Sequence, residues 1–202
     1  MSNVLNTAFE EVKNCQFKFV DNHTIEVLNA FIFWTNFSGK PNAYGNSART
    51  FNLAVPEEAA NELANTGWRV RSKVIDQGVN EAGELDPSLD KVVYFVNIKV
   101  NMNSQYPPSV CVFTEFKGVR SRRVLNEENI GEIDKLNIQT CDCTINAYES
   151  RNFPGKKTGY LRQLYIIADP DVQYNGKYDD WLDDDPNEEL PANAIEEEDN
   201  KY

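Results

Sequence analysis

Apolar side chains in this sequence recur at every second position, in short runs broken by turn residues. That spacing restricts the fold more than any other feature. In residues 68–74, Trp68, Val70 and Val74 point one way while Arg69, Arg71 and Lys73 point the other. Residues 49–55 place Arg49, Phe51, Leu53 and Val55 on one face and Thr50, Asn52 and Ala54 on the opposite one. Residues 92–101 line up Val92, Tyr94, Val96, Ile98 and Val100. Successive side chains of an extended chain leave on opposite sides, so each run reads as a strand. Residues 24–37, with Ile25, Val27, Phe31, Ile32, Phe33 and Trp34, predict one long or bent strand. Further strands are expected at 109–116, 136–148 and 159–168.

The strongest helix signal spans 56–66. Pro56 suits the first helical position, Glu57 and Glu58 favour the positive end of the helix dipole, and Gly67 supplies the stop. A short helical turn is expected within 126–135. Residues 1–16 read as a lead-in, 38–46 and 75–90 as polar loops, and 117–123 and 151–157 as basic loops. The reading is of a mainly β chain with one or two short helices, a barrel or sandwich elaborated by loops, without internal repeats.

Charge is segregated along the chain. Between Asp179 and Tyr202 there are eleven Asp or Glu residues and one Lys, so ten of the chain's twelve net negative charges lie there. Like charges this dense repel, and few apolar groups remain to drive collapse, so 179–202 is expected to be a flexible acidic tail. Residues 1–178 then form one domain with 21 acids against 19 bases. A low overall pI ordinarily argues against nucleic acid, but local charge decides binding, and here the acid sits in one segment.

Several chemistries are disfavoured. No apolar run is long enough to span a membrane, so no membrane partner is expected. The start lacks a secretory pattern, so Cys15, Cys111, Cys141 and Cys143 are expected to be reduced thiols. Cys141 and Cys143 share a strand face, but the other two are isolated. Buried thiols are therefore expected rather than zinc, and no cofactor is expected. The one histidine, His23, sits in a turn-like stretch, and no phosphate-cradling motif is present. Catalysis is not expected. A metal-dependent nuclease is the weakest reading, because the densest carboxylates lie in the flexible tail, where preorganisation fails.

Binding of single-stranded nucleic acid needs cations for phosphates and flat rings for unpaired bases. The candidate cations are Arg69, Arg71 and Lys73 on one strand face; Lys117, Arg120, Arg122 and Arg123 on one basic loop; and Arg151, Lys156 and Lys157 on another. Lys40, Arg49 and Arg162 join them. The candidate rings are Phe51, Tyr148, Phe153 and Tyr160. Any one cluster reads equally well as solvated surface, and rings by default pack in cores. Three clusters with a compensating acidic tail favour a polyanion-binding surface.

Several motifs in order carry a resemblance: Asn36-Phe37-Ser38-Gly39-Lys40, the run 46–55 (Asn-Ser-Ala-Arg-Thr-Phe-Asn-Leu-Ala-Val) and Thr66-Gly67-Trp68-Arg69-Val70. Pro107-Pro108-Ser109-Val110, Gly155-Lys156-Lys157-Thr158-Gly159-Tyr160-Leu161 and Leu164-Tyr165-Ile166 follow. Across 25–170 the chain resembles bacteriophage single-stranded DNA-binding proteins. The resemblance implies an oligonucleotide-binding (OB) barrel with elaborated loops, no enzymatic activity, and a role in phage DNA replication, recombination and repair in the cytoplasm of the infected host. It implies single-stranded DNA as ligand, a tail that competes with DNA and docks replication or recombination proteins, and room for a homodimer. The tail residues concerned are Asp179, Asp180, Trp181, Asp183, Asp184, Asp185, Glu196, Glu197, Glu198, Asp199 and Tyr202. The alternative is an acidic interaction module or DNA mimic that inhibits a host DNA-binding protein. Such a mimic has no need of the cation clusters.

Overall fold

The computed structural model describes residues 2–41, 45, 47–80, 83–116, 118–150 and 153–169. Along the chain these form α1 (Ser2–Glu11), β1 (Gln16–Phe19), β2 (Thr24–Ala30), β3 (Ile32–Asn36), β4 (Thr50–Val55), α2 (Glu57–Asn65) and β5 (Val70–Asp76). Then come β6 (Lys91–Lys99), β7 (Ser109–Phe116), β8 (Val119–Leu125), β9 (Ile138–Ser150) and β10 (Phe153–Ala168). Short 3₁₀ turns occur at Val12–Asn14, Pro87–Leu89 and Ile130–Lys135. The chain is mainly β with few short helices, as the alternation predicts. Residues 170–202, including the acidic segment, lie outside the described residues.

The strands form one sheet in the order β1-β2-β9-β10-β6-β4-β3, with β5 beside β6, β7 beside β10 and β8 beside β7. The path is open rather than closed, and β10 runs parallel to both β6 and β7 while the other ladders are antiparallel. Val96 pairs with Leu53 of β4 and Val70 of β5, whereas Ile98 pairs with Phe51 of β4 and Gly159 of β10. β5 and β10 therefore follow each other along one edge of β6. The bridge between Trp68 and Lys157 joins them.

The inner face of the sheet holds the main core, with Ile25, Val27, Phe37, Phe51, Leu53, Ile98, Ile145, Leu164 and Ile166. Ala60 and Leu63 of α2 and Ile130 and Ile133 of the turn after β8 pack onto it. Trp68 fits beneath β10 because Gly159 has no side chain. A methyl there would lie 2.8 Å from Ile98 Cδ1 and 3.0 Å from Trp68 Cζ3.

A smaller cluster covers part of the outer face. Leu5 and Ala8 of α1 bury Phe33, Ala54, Val93 and Phe95. The segment 2–11 is thus a packed helix and not a lead-in. The same helix explains why alternate residues of β4 are buried on both faces. Three more boundaries differ from the sequence reading. The strand expected at 24–37 breaks into β2 and β3, with left-handed backbone at Asn29 (φ 52°) and Trp34 (φ 46°). The basic loop expected at 117–123 is largely strand β8. The one expected at 151–157 runs into β10, which begins at Phe153. β8 and the first part of β10 carry charge where other strands carry apolar residues, so alternation shows only the part of β10 expected at 159–168.

Asp134 ties β3 to the turn Ile130–Lys135. Its carboxylate accepts the Phe37 N–H at 2.9 Å and the Ser38 N–H at 2.8 Å. Burial alone would push this carboxyl up, but the N–H groups of Ser38 and Phe37 outweigh it and hold its pKa below the usual carboxylate value.

Candidate nucleic-acid interface

Partners in register on neighbouring strands point to the same side of a sheet. Thr50 of β4 pairs with Lys99 of β6, Lys99 with Tyr160 of β10, and Tyr160 with Asn146 of β9. The four form one row across the outer face. On β9, Tyr148 stands opposite Thr158, and its ring meets the edge of Tyr160 at 5.7 Å between centroids. The Lys99 ammonium lies 5.8 Å from the Tyr160 ring. Lys99, Asn146, Tyr148, Thr158 and Tyr160 line an open cleft of about 1030 Å³ together with Asn101, Tyr106, Ser150 and Arg162.

The cleft follows from the topology. β10 pairs with β6 through Tyr160 and with β7 from Gln163 onward, and a register shift falls between Leu161 and Gln163. The loop from β6 to β7 spans this change of partner and brings Tyr106, which is 71% exposed. Tyr148 is 58% exposed, so the site presents two accessible rings beside the half-buried Tyr160.

The same face continues onto β5. Arg71 pairs with Phe95 and Lys73 with Val93, the two residues that α1 covers from the outer side. Arg69 lies 4.0 Å from the ring of Phe153, and Lys73 lies 5.7 Å from the ring of Trp34. Arg69, Arg71, Lys73, Lys99, Lys156 and Arg162 are exposed and make no ion pair with another described residue.

Other candidates are placed differently. Phe51 is fully buried and stacks on Phe37 at 5.5 Å, so it is a core ring with no face for a base. Arg49 donates to the Phe37 carbonyl and to Glu127, which makes it a structural tie. Lys157 donates to the Asn22 carbonyl. Arg120 pairs with Glu115 at 2.8 Å and Arg123 with Glu132 at 2.8 Å, while Arg122 reaches the Cys111 sulfur. Lys40 is exposed. Its loop bonds to Asn36, whose register partner is Thr50 at the end of the row. Lys117, Arg151 and the tail residues from Asp179 to Tyr202 lie outside the described residues.

Sequence reasoning missed Lys99, Tyr106, Trp34 and Asn146. Lys99 had a usable signal, because it ends the face of 92–101 opposite Val96, Ile98 and Val100. Cys141 and Cys143 do share a face of β9, buried in the core. Burial pushes the Cys141 thiol up to about 12 and raises Cys143 as well. Among the described residues, no three His, Cys, Asp or Glu side chains converge on a metal position.

A family model described as "Putative phage ssDNA-binding domain" matches residues 14–200. The chain belongs to that family. The family is one of binding proteins and not enzymes. Two solved structures are similar, both of a single-stranded DNA-binding protein from bacteriophage Enc34. One is a C-terminal truncation, at 10% identity and a TM-score of 0.39. The other is a complex with ssDNA, at 11% identity and a TM-score of 0.36. Each match covers 76% of this chain and 94% of the other. No curated protein matches this chain.

Proposed function

We propose that the outer sheet face binds single-stranded DNA, and that residues 1–178 serve as the binding domain of a phage protein that coats and protects such strands. The observation that carries this reading is the row of Lys99, Tyr160 and Asn146, with Tyr148 against Tyr160, in one open cleft. Cations beside accessible rings are what unpaired bases and their phosphates need, and no sequence-reading element is required. Lys99 and Arg162 neutralise phosphates at the cleft. Arg69, Arg71, Lys73 and Lys156 extend the positive track. Tyr148, Tyr160, Tyr106 and Phe153 offer stacking surfaces. The face does no chemistry. It positions the strand and shields it.

In this proposal the segment 179–202 acts as a second polyanion. It competes for the cations when DNA is absent and is released when DNA binds. It is then free to contact replication, recombination or repair proteins in the cytoplasm of the infected host. The unpaired cations of the face give a DNA-mimic role no support.

The test is fluorescence anisotropy of labelled oligo-dT with the full chain at two salt concentrations, with duplex DNA as competitor. Tight, salt-sensitive binding that duplex does not displace is expected. Absence of binding at low salt, with and without residues 179–202, overturns the proposal. Deleting 179–202 is expected to raise affinity at low salt, and an unchanged affinity removes the competition role.

A further inference from the structure

Trp34 is held in a conformation that its own strand does not favour. Alternation along β3 puts Phe33 on the outer face, where it pairs with Asn52 and packs against Phe95 at 5.5 Å. The next residue should then point into the core. Instead Trp34 adopts φ 46°, and the ladder shifts register between Phe33 and Asn36. The left-handed backbone turns the indole outward as well. Its ring stands edge-on to Phe33 at 4.9 Å and to Phe95 at 5.9 Å, and it stays 41% exposed. A bulky residue at positive φ is strained, and such strain persists only where surrounding structure enforces it. Here Phe33 and Phe95, themselves packed against Leu5 and Ala8 of α1, do so.

We propose that Trp34 is a second base-stacking platform, with Lys73 beside it to take the adjacent phosphate. This inference rests on the proposed binding of single-stranded DNA. Three observations point to a base as the occupant. The indole is held by steeply inclined contacts with Phe33 and Phe95 and still stays 41% exposed. Lys73 lies 5.7 Å from the ring, and Arg71 is two residues away on the same strand face. Both platforms also lie on the outer side of one sheet, where β4 and β6 stand between β3 and β10. Three strand spacings put the two platforms about 15 Å apart across the sheet. At about 3.4 Å per stacked base, a strand of some five nucleotides reaches both.

The experiment uses the full chain and labelled (dT)₂₀, with anisotropy and tryptophan emission read in the same titration. The wild type, Trp34→Phe and Trp34→Ala are compared. Stacking quenches an indole, so wild-type emission is expected to fall at saturation. Trp34→Phe should lose most of that quench while still binding, which separates Trp34 from Trp68 and Trp181. Trp34→Ala should bind about 5- to 100-fold more weakly. Equal quenching in wild type and Trp34→Phe at full anisotropy overturns the inference and leaves the proposed function standing. Failure of the wild type to bind at all overturns both. Circular dichroism melts of the variants check that each is folded.

Discussion

If the outer face neutralises phosphates, the salt dependence of binding counts its free cations. Six exposed cations assigned to this face make no ion pair with another described residue: Arg69, Arg71, Lys73, Lys99, Lys156 and Arg162. Each phosphate neutralised on a single strand contributes about −0.7 to the slope of log K against log salt. Full engagement therefore predicts a slope near −4, and about a 250-fold loss of affinity between 50 and 200 mM salt. Lys99→Ala should reduce the slope by about 0.7. Replacing Arg69, Arg71 and Lys73 together by Ala should reduce it by about 2. Arg120→Ala is the control, because that guanidinium is bonded to Glu115 at 2.8 Å. Its slope should match the wild type. Anisotropy titrations of oligo-dT over four or more salt concentrations give these slopes directly. A triple variant with the wild-type slope would refute the assignment of the β5 face, and a control that drops as far as Lys99→Ala would refute the count.

The remaining predictions separate site from scaffold. Tyr160→Ala should weaken oligo-dT binding by about 1–3 kcal/mol with little change in melting temperature, whereas Phe51→Ala should cost about 3–5 kcal/mol of stability in a denaturant titration. Gly159→Ala crowds Ile98 and Trp68 and should cost about 1–3 kcal/mol, lowering the melting point by about 2–4 °C for each. An unchanged melt would mean the sheet relaxes around the new methyl. Asp134→Asn should destabilise the neutral protein by about 1 kcal/mol, the low end for a charged acceptor because the group is largely exposed. The folded pKa of Asp134 is depressed, so its contribution is present above the unfolded value and is lost as pH falls through the folded one. The gap between wild type and variant should therefore close in acid melts below about pH 4.

The strands with one apolar face were legible in the sequence because alternation is a local signal. Residues 109–116 and the helix after Pro56 emerged close to their observed bounds. β8 was not legible, since Val-Arg-Ser-Arg-Arg-Val-Leu is exposed along nearly its whole length and carries no apolar period. α1 was missed because the stripe that packs, Leu5 and Ala8, is short. Phe51 was misassigned because alternation tells which residues share a face but not which face is covered. Lys99 and Tyr160 become neighbours through a parallel ladder between β6 and β10 that no local pattern reports. Trp34 faces outward only because its backbone leaves the strand region.

The position of β10 in the sheet has a consequence for folding. It is the last described strand, and the described ladders connect β1-β2-β9 to β6-β4-β3 only through it. Without it the sheet falls into separate pieces, and Lys99 loses its contact with Tyr160. Pairings that join distant parts of a chain, such as β2 with β9, close slowly. The binding face therefore waits on the last described strand, and a chain stopped before residue 153, which lacks β10, should have local structure but no affinity.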